Sequence, residues 1–473
     1  VPLDLNARDI FDLVIVGGGP GGYAAALYGA SAGLKIAVVE KDKVGGTCLH
    51  RGCIPAKELL ETARIFVSVN KAKEYGVLSS PPVIDTSVMQ GKKSAVVGRL
   101  HKGLEGLMRG RGIAIFQGVG KLLAKNVVEV IGSGGQRQLL QAKFVILATG
   151  SRPRTIPGFV PDGQYILTSD EVLDLKVIPP RALVIGGGAI GCEFASLLSD
   201  LGSKVTLAEV TSSLLPGCDE EVAEAVARSF RKKGIFVKTQ AQVTNNAFTE
   251  EGVTVSFADG DSVDVDQVVI SVGRAPNSAS IYSEDVDIDL DERGYVMVDD
   301  RLRTKAENVF AIGDLINTPQ LAHVGFAEGI FVIKQILGEQ AIPVDYQNVP
   351  WCIYSSPEVA FVGLTESAAR LAGYDIAVKK DPYGGNGRAI ILGETEGFVK
   401  VICEKDVSGK AGRLLGVHMV GPWVTEQLGQ AYLSVNWGAT PEEISHFIQP
   451  HPTLSETFGE TVLALTGRGL HVG

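Results

Sequence analysis

One local pattern occurs twice in this chain, and it restricts the fold more than any other feature. Phe11 to Val16 reads as a buried parallel strand. Gly17-Gly18-Gly19-Pro20-Gly21-Gly22 follows, then a small-residue helix from Tyr23 to Ala32, a second strand from Lys35 to Val39, and Glu40. Gly17, Gly19 and Gly22 stand in GxGxxG register. The first permits a tight turn, the second lets a pyrophosphate approach the backbone, and the third lets helix and strand pack closely. The helix N-terminus presents free N–H groups to the anion, and the acid lies where a ribose hydroxyl is gripped. Arg181 to Ile185 begins a second copy, with Gly186, Gly188 and Gly191 in the same register and Val205 to Ala208 closing on Glu209. The interval from third glycine to acid is 18 residues in both copies. Two such units imply two dinucleotides; the alternative is one working copy beside a vestigial one.

The second acid also selects its cofactor. Glu209 accepts from a ribose 2′-hydroxyl and repels a 2′-phosphate, and no Arg or Lys occurs between Val210 and Ala227 to offset that repulsion. NAD is therefore expected over NADP.

Bulk properties bound the remaining possibilities. A chain of 473 residues has room for two to four domains. A formal charge of −10 argues against nucleic acid as the main partner, since phosphate contacts need concentrated Lys and Arg. Six cysteines in such a length do not make a secreted disulfide framework and fit a reducing compartment. No uncharged apolar run is long enough to predict a transmembrane helix. The polar stretch Val1 to Asp12 does not resemble a signal peptide, and the Val1 start is read as processing or an edited sequence.

Cys48 and Cys53 are five residues apart in Gly45-Gly46-Thr47-Cys48-Leu49-His50-Arg51-Gly52-Cys53-Ile54-Pro55-Ala56-Lys57. Residues i and i+5 of an ideal helix have Cα atoms roughly 8–9 Å apart, and a disulfide tolerates less than about 7 Å. Either the two remain separate thiols in a helix, or they pair across a distorted backbone. Gly52 is the residue best able to distort. Strained, accessible disulfides are the reducible kind.

GGTCLHRGCIPAK resembles the GGTCLNxGCxPSK signature of the FAD-dependent disulfide oxidoreductases, most closely their dihydrolipoamide dehydrogenase branch. His50 replaces the usual Asn and Ala56 the usual Ser. The resemblance extends through further ordered motifs: Ala148-Thr149-Gly150-Ser151, Gly273-Arg274-Ala275-Pro276-Asn277, Gly313-Asp314, Leu321-Ala322-His323 and His451-Pro452-Thr453-Leu454-Ser455-Glu456. It implies an α/β fold with two Rossmann-like dinucleotide-binding domains and a C-terminal α+β dimerisation domain. The expected segments are FAD-binding residues 1–152 and 278–349, NAD-binding residues 153–277 and interface residues 350–473.

The same resemblance implies the site. Cys48 and Cys53 become a redox-active disulfide, with Cys48 the exchange thiol and Cys53 next to the flavin. His451 becomes the acid/base across a homodimer interface and Glu456 its orienter. Lys57 and Glu193 become an ion pair near the reactive flavin nitrogen. FAD is expected at Gly17, Gly19, Gly22, Glu40, Gly46, Thr47, Lys57, Gly120, Thr149, Gly150, Ser151, Asp314, Leu321, Ala322 and His323. NAD is expected at Gly186, Gly188, Gly191, Glu193, Glu209, Val243 (in the loop after Lys238) and Gly273. His101, His418, His446 and His471 match no catalytic motif and are read as structural or surface residues. Cys192, Cys218, Cys352 and Cys403 are read as buried thiols, with no metal site.

The activity implied is oxidation of a protein-bound dihydrolipoyl group by NAD+. Partners would then be lipoyl domains and the acyltransferase core of 2-oxo acid dehydrogenase complexes, or the glycine-cleavage lipoyl protein. The setting is cytoplasmic or, after loss of a transit peptide, a mitochondrial or plastid matrix. Rival enzymes of this architecture fit less well: glutathione-type reductases prefer NADP, mercuric reductases add C-terminal cysteines that Gly459 to Gly473 lacks, and flavin transhydrogenases lack the cysteine pair. A pure docking subunit is the rival from another class.

Overall fold

The computed structural model describes residues 9–471; the Val1 start lies outside them. The chain divides into two compact units. The first comprises residues up to Glu58, Ser87–Arg154 and Arg274–Tyr346, and the second comprises Leu59–Thr86, Thr155–Gly273 and the chain from Gln347 on.

The first unit is built on a seven-stranded sheet. Ala114–Gln117, Ile36–Glu40, Asp9–Val16 and Arg137–Leu147 lie side by side in parallel, and Val309–Ala311 pairs in parallel with the C-terminal half of Arg137–Leu147. Val127–Ile131 and Val119–Ala124 extend the other edge as an antiparallel hairpin. The strands Leu13–Val16 and Ile36–Val39 are wholly buried, which is why they read as continuous apolar runs rather than alternating ones. The helices Pro20–Ser31 and Ala322–Ile336 pack through glycine: a Cβ at Gly329 would sit 2.6 Å from the Gly21 carbonyl oxygen.

The second unit holds a parallel sheet in the order Phe236–Lys238, Lys204–Ala208, Arg181–Ile185, Gln267–Ile270, Ile166–Thr168. A three-stranded antiparallel sheet, Val243–Thr249, Gly252–Phe257 and Ser262–Val265, packs into the same apolar cluster. The C-terminal segment adds a five-stranded antiparallel sheet, ordered Trp351–Ile353, Glu358–Gly363, Ala411–Gly421, Phe398–Lys405, Ile376–Pro382. The helices Val424–Asn436 and Glu456–Leu465 cover it. The fold is thus α/β with two glycine-loop dinucleotide folds and a C-terminal α+β part.

The segment after Gln347 shares a compact unit with the second glycine-loop fold, and a buried charge cluster joins them. Lys400, on Phe398–Lys405, is only 2% exposed. Its ammonium lies 3.0 Å from Asp219, 2.8 Å from Glu221 and 2.8 Å from Glu366. Asp219 also caps the helix Glu220–Lys232, accepting from the Glu221 N–H. Burial alone would lower the Lys400 pKa, but hydrogen bonds to Glu221, Glu366 and Asp219 outweigh it and hold the value above the ordinary lysine range.

Truncating one member of a buried, hydrogen-bonded charge group leaves the others uncompensated, at about 3–5 kcal/mol. Lys400→Met is therefore expected to lower the unfolding free energy by about that amount at neutral pH, measured by denaturant titration. The Glu221 carboxyl is raised by burial but brought below its ordinary 4.5 by Lys380 and Lys400, and Glu366 is held below 4.5 by Lys400 and Arg370. The cluster's contribution is therefore present above pH 4.5 and lost as pH falls through the depressed values. The gap between wild type and variant should close on acidification; a gap that stays constant would contradict this origin.

Candidate active site

Each glycine loop is closed by backbone contact. A Cβ at Gly17 would lie 2.2 Å from the Ala148 carbonyl oxygen, and one at Gly22 would lie 1.9 Å from the Gly17 oxygen. The second copy repeats this at Gly186 against Ser271, 2.4 Å, and Gly191 against Gly186, 1.8 Å. Gly17 and Gly186 also have φ of +109° and +108°, which side chains rarely adopt. Gly19 and Gly188, by contrast, face open space or a Cα 4.0 Å away, as a close-approaching ligand requires. The helices Pro20–Ser31, Ala189–Asp200 and Ala322–Ile336 open without a side-chain cap, so their first N–H groups point outward unclaimed by capping side chains.

Each acid closes its loop in the same way. The Gly18 N–H donates to Glu40 Oε2 at 2.7 Å and the Asp42 N–H to Oε1 at 2.8 Å. The Gly187 N–H donates to Glu209 Oε2 at 2.5 Å and the Thr211 N–H to Oε1 at 2.8 Å. Burial pushes the Glu40 carboxyl upward, opposed by Gly18, Lys41 and Arg51.

The cysteine segment takes the distorted path. The helix Gly46–Arg51 stops, Gly52 adopts φ −149°, ψ −113°, and a new helix runs Cys53–Lys71. Cys48 and Cys53 are thiols here, and their side chains hydrogen-bond to one another across the break. That hydrogen bond, then burial, holds the Cys48 thiol far above its ordinary range, while Lys57 pulls the other way. Gly46, with φ +57°, abuts Gly19: a Cβ there would lie 2.6 Å from Gly19 Cα. Thr47 follows it on the short helix. The first glycine loop and the cysteine turn therefore share one wall. Tyr23, at the start of the glycine-loop helix, senses the same thiols. Its hydroxyl is pushed up to about 12 by burial first and then by Cys48 and Cys53.

The other expected residues of this site lie in the same compact unit. Thr149 Oγ1 donates to the Asn277 carbonyl, and Asn277 returns a bond to the Thr149 carbonyl. Gly150 has φ +69°. Ser151 Oγ donates to Asp314 Oδ2 at 2.5 Å, and Arg274 Nε donates to the same Ser151 oxygen at 2.6 Å. Behind Asp314, the wholly buried Glu328 accepts from the Gly313 N–H, Thr318 and Tyr346. Leu321 stands at the N-cap of the helix that begins Ala322-His323. Gly120 lies in the strand Val119–Ala124, where a Cβ would meet Val16 at 2.7 Å. These features fit an FAD: a pyrophosphate cradle at Gly17, Gly19 and Gly46, a ribose acid at Glu40, and a carboxylate at Asp314 held by hydroxyl and guanidinium.

In the second unit, Glu193 is buried on the second glycine-loop helix and accepts from the Tyr354 N–H at 2.9 Å. Gly273, φ +99°, has open space around it. Val243 differs from expectation: it opens the strand Val243–Thr249, paired with Phe257, rather than lying in a loop. His451 is 76% exposed, and its Nδ1 lies 2.7 Å from Glu456 Oε1. Glu456 Oε2 accepts from the Thr453 N–H at 2.6 Å, so the carboxylate is fixed on both sides. A surface cleft of about 510 Å³ opens beside Pro452 to Ser455, with Arg388, Trp423 and Gln430 on its walls.

Several residues escaped the sequence reading. Arg274, Glu328 and Tyr23 act on groups it had identified. His101, read as structural, meets His50: His50 Nε2 and His101 Nδ1 lie 3.0 and 3.2 Å from one acceptor, the Val44 carbonyl, with the rings edge-on at 5.1 Å. Of the scattered cysteines, Cys192 and Cys403 are buried, whereas Cys218 and Cys352 are only partly so. Among the described residues no cluster of His, Cys, Asp or Glu could hold a metal, and no helix is long and apolar enough to cross a membrane.

Two dinucleotide cradles, one of them sharing a wall with a facing pair of thiols, define an oxidoreductase that moves electrons between a dithiol and a nucleotide. The chain belongs to the pyridine nucleotide-disulphide oxidoreductases, whose family pattern it matches over residues 11–329, with the family's dimerisation domain over residues 349–462. Its cofactors are FAD and NAD(H), and the dimerisation domain supports a homodimer. It is 40% identical to a dihydrolipoyl dehydrogenase of Bacillus subtilis over 98% of this chain and 99% of that one. It is also 40% identical to the dihydrolipoyl dehydrogenase of Zymomonas mobilis, covering 98% and 99%. Among solved structures it is similar to LpdA from Mycobacterium tuberculosis, with a TM-score of 0.90 at 26% identity over 97% of this chain and 99% of that one. The Cu(II) complex of the HOCl-induced flavoprotein disulfide reductase RclA from Escherichia coli gives 0.87 at 28% identity, covering 97% and 100%.

His50 is held below the ordinary 6.5 by burial first, then by His101 and Lys43, against the Val44 carbonyl and Glu40. It is therefore a neutral N–H donor to the Val44 carbonyl at pH 7. Its NMR titration midpoint should fall below 6.5 and move up in His101→Phe; a wild-type midpoint at or above 6.5 would contradict the pairing.

Proposed function

We propose that this chain oxidises a protein-bound dihydrolipoyl group and passes the electrons to NAD+, as dihydrolipoyl dehydrogenases do. The observation that carries the reading is the Cys48–Cys53 pair, facing across the Gly52 break beside the Gly19–Gly46 cradle.

In the oxidised enzyme the pair is a disulfide. His451 Nε2 takes a proton from one substrate thiol, while Glu456 holds Nδ1–H and fixes the ring. The thiolate attacks Cys48 Sγ; the Cys48–Cys53 bond breaks and Cys53 leaves as a thiolate. The second substrate thiol, once deprotonated, attacks the sulfur bound to Cys48. The substrate leaves as a cyclic disulfide, oxidised by two electrons, and Cys48 and Cys53 are reduced by the same two. When bound, FAD supplies the route by which those electrons reach NAD+ as hydride. Lys57 and Glu193 set the charge around the acceptor side, and a double-mutant cycle on the two tests whether they act as a pair.

The chain works as a homodimer in which His451 serves the cysteine pair of the second copy. Exposure of His451 in the single chain, with its carboxylate already fixed, supports this. The substrate is a lipoyl domain of a 2-oxo acid dehydrogenase or glycine-cleavage complex, and the setting is the cytoplasm.

Cys48→Ser is expected to abolish NAD+-dependent oxidation of dihydrolipoamide by the FAD-loaded protein. His451→Gln should lower it by about 10²–10⁴-fold. Steady-state NADH formation measures both. A Cys48→Ser protein that keeps its turnover would overturn the reading.

A further inference from the structure

The two nucleotide acids have equivalent backbone donors, and the second also receives a hydroxyl. An ionised carboxylate offers about four acceptor positions. Glu40 receives two N–H bonds, from Gly18 and Asp42, and the Lys41 backbone also lies against it. The residue two places after it, Asp42, has no hydrogen to donate as a carboxylate and is paired with Arg51. Glu209 receives the equivalent two N–H bonds, from Gly187 and Thr211, and a third from the Thr211 hydroxyl at 2.8 Å. Both positions of Oε1 are then filled, and one remains on Oε2.

The Thr211 hydroxyl has an alternative acceptor, the Ser213 carbonyl, 2.9 Å away. It carries one proton and makes one of these bonds at a time. Turned to Ser213, it restores two free positions on Glu209, enough for the two hydroxyls of a nucleotide ribose. No heavy atom has to move.

We propose that Thr211 is an affinity-determining positioning residue of the second nucleotide site: its hydroxyl competes with the NAD ribose for Glu209 and makes that site release its nucleotide more readily than the first. This rests on the reading of the second glycine loop as the NAD site. It accounts for a functional difference between two otherwise matched cradles. Sequence reading found Glu209 but not this difference, because the distinguishing atom is a hydroxyl at a position that holds a carboxylate in the first copy.

The test is isothermal titration of the FAD-loaded protein with NAD+. Thr211→Val and Thr211→Ala remove the competitor and should tighten NAD+ binding roughly 3- to 10-fold, the worth of one hydrogen bond. Thr211→Ser restores the hydroxyl and should bind within about 2-fold of wild type, which a purely structural role for the side chain would not require. Unchanged or weaker binding in both Thr211→Val and Thr211→Ala overturns the inference. Glu209→Ala serves as the control on the underlying reading: it should weaken NAD+ binding more than about 10-fold. If it does not, the second loop is not the NAD site and the reading beneath the inference fails with it.

Discussion

The structure depends on a contact in which no side chain fits. At Gly22 against Gly17, and again at Gly191 against Gly186, a helix is pressed onto the end of a strand so closely that a single Cβ would meet a carbonyl oxygen within 2 Å. That approach aims an uncapped helix N-terminus along the strand's axis. It also brings the next glycine's N–H within reach of an acid one strand away. The anion cradle and the ribose acid follow from one steric fact, applied twice.

The cysteine turn uses the same resource differently. Gly46 lies against Gly19, and Gly52 interrupts the helix between the two thiols. A continuous helix would hold Cys48 and Cys53 too far apart to exchange a bond. The break lets the thiols face each other, and the Gly46 contact ties their turn to the wall of the first cradle. His50 and His101 then pin the approach to this turn through a single carbonyl, bridging the short helix and the helix Thr86–Gly110.

Features encoded within a few tens of residues were legible from sequence. The strands, glycine registers, acids and the distortion at Gly52 are local, and each residue type has a narrow physical use. Features assembled from distant segments were not. Lys400 reads as an ordinary alternating lysine until Asp219, Glu221 and Glu366 converge on it. Arg274 looks like part of an exit motif until its guanidinium meets Ser151, and His101 looks idle until His50 is beside it. Val243 was placed in the loop after Lys238 on the strength of the family resemblance; the strand shows itself through pairing with Phe257. The joining of the C-terminal segment to the second glycine-loop fold is of the same kind, since charge pairs between remote segments leave no periodicity to read.

The central claim is that electrons pass through Cys48 and Cys53 on their way to NAD+. The most direct measurement mixes the FAD-loaded, oxidised protein anaerobically with one equivalent of dihydrolipoamide, quenches samples with an alkylating agent before and after adding NAD+, and maps the labelled residues by mass spectrometry. The account predicts that Cys48 and Cys53 become labelled after dihydrolipoamide, and that this labelling disappears as NADH forms. NADH formation while Cys48 and Cys53 stay unlabelled throughout would contradict it.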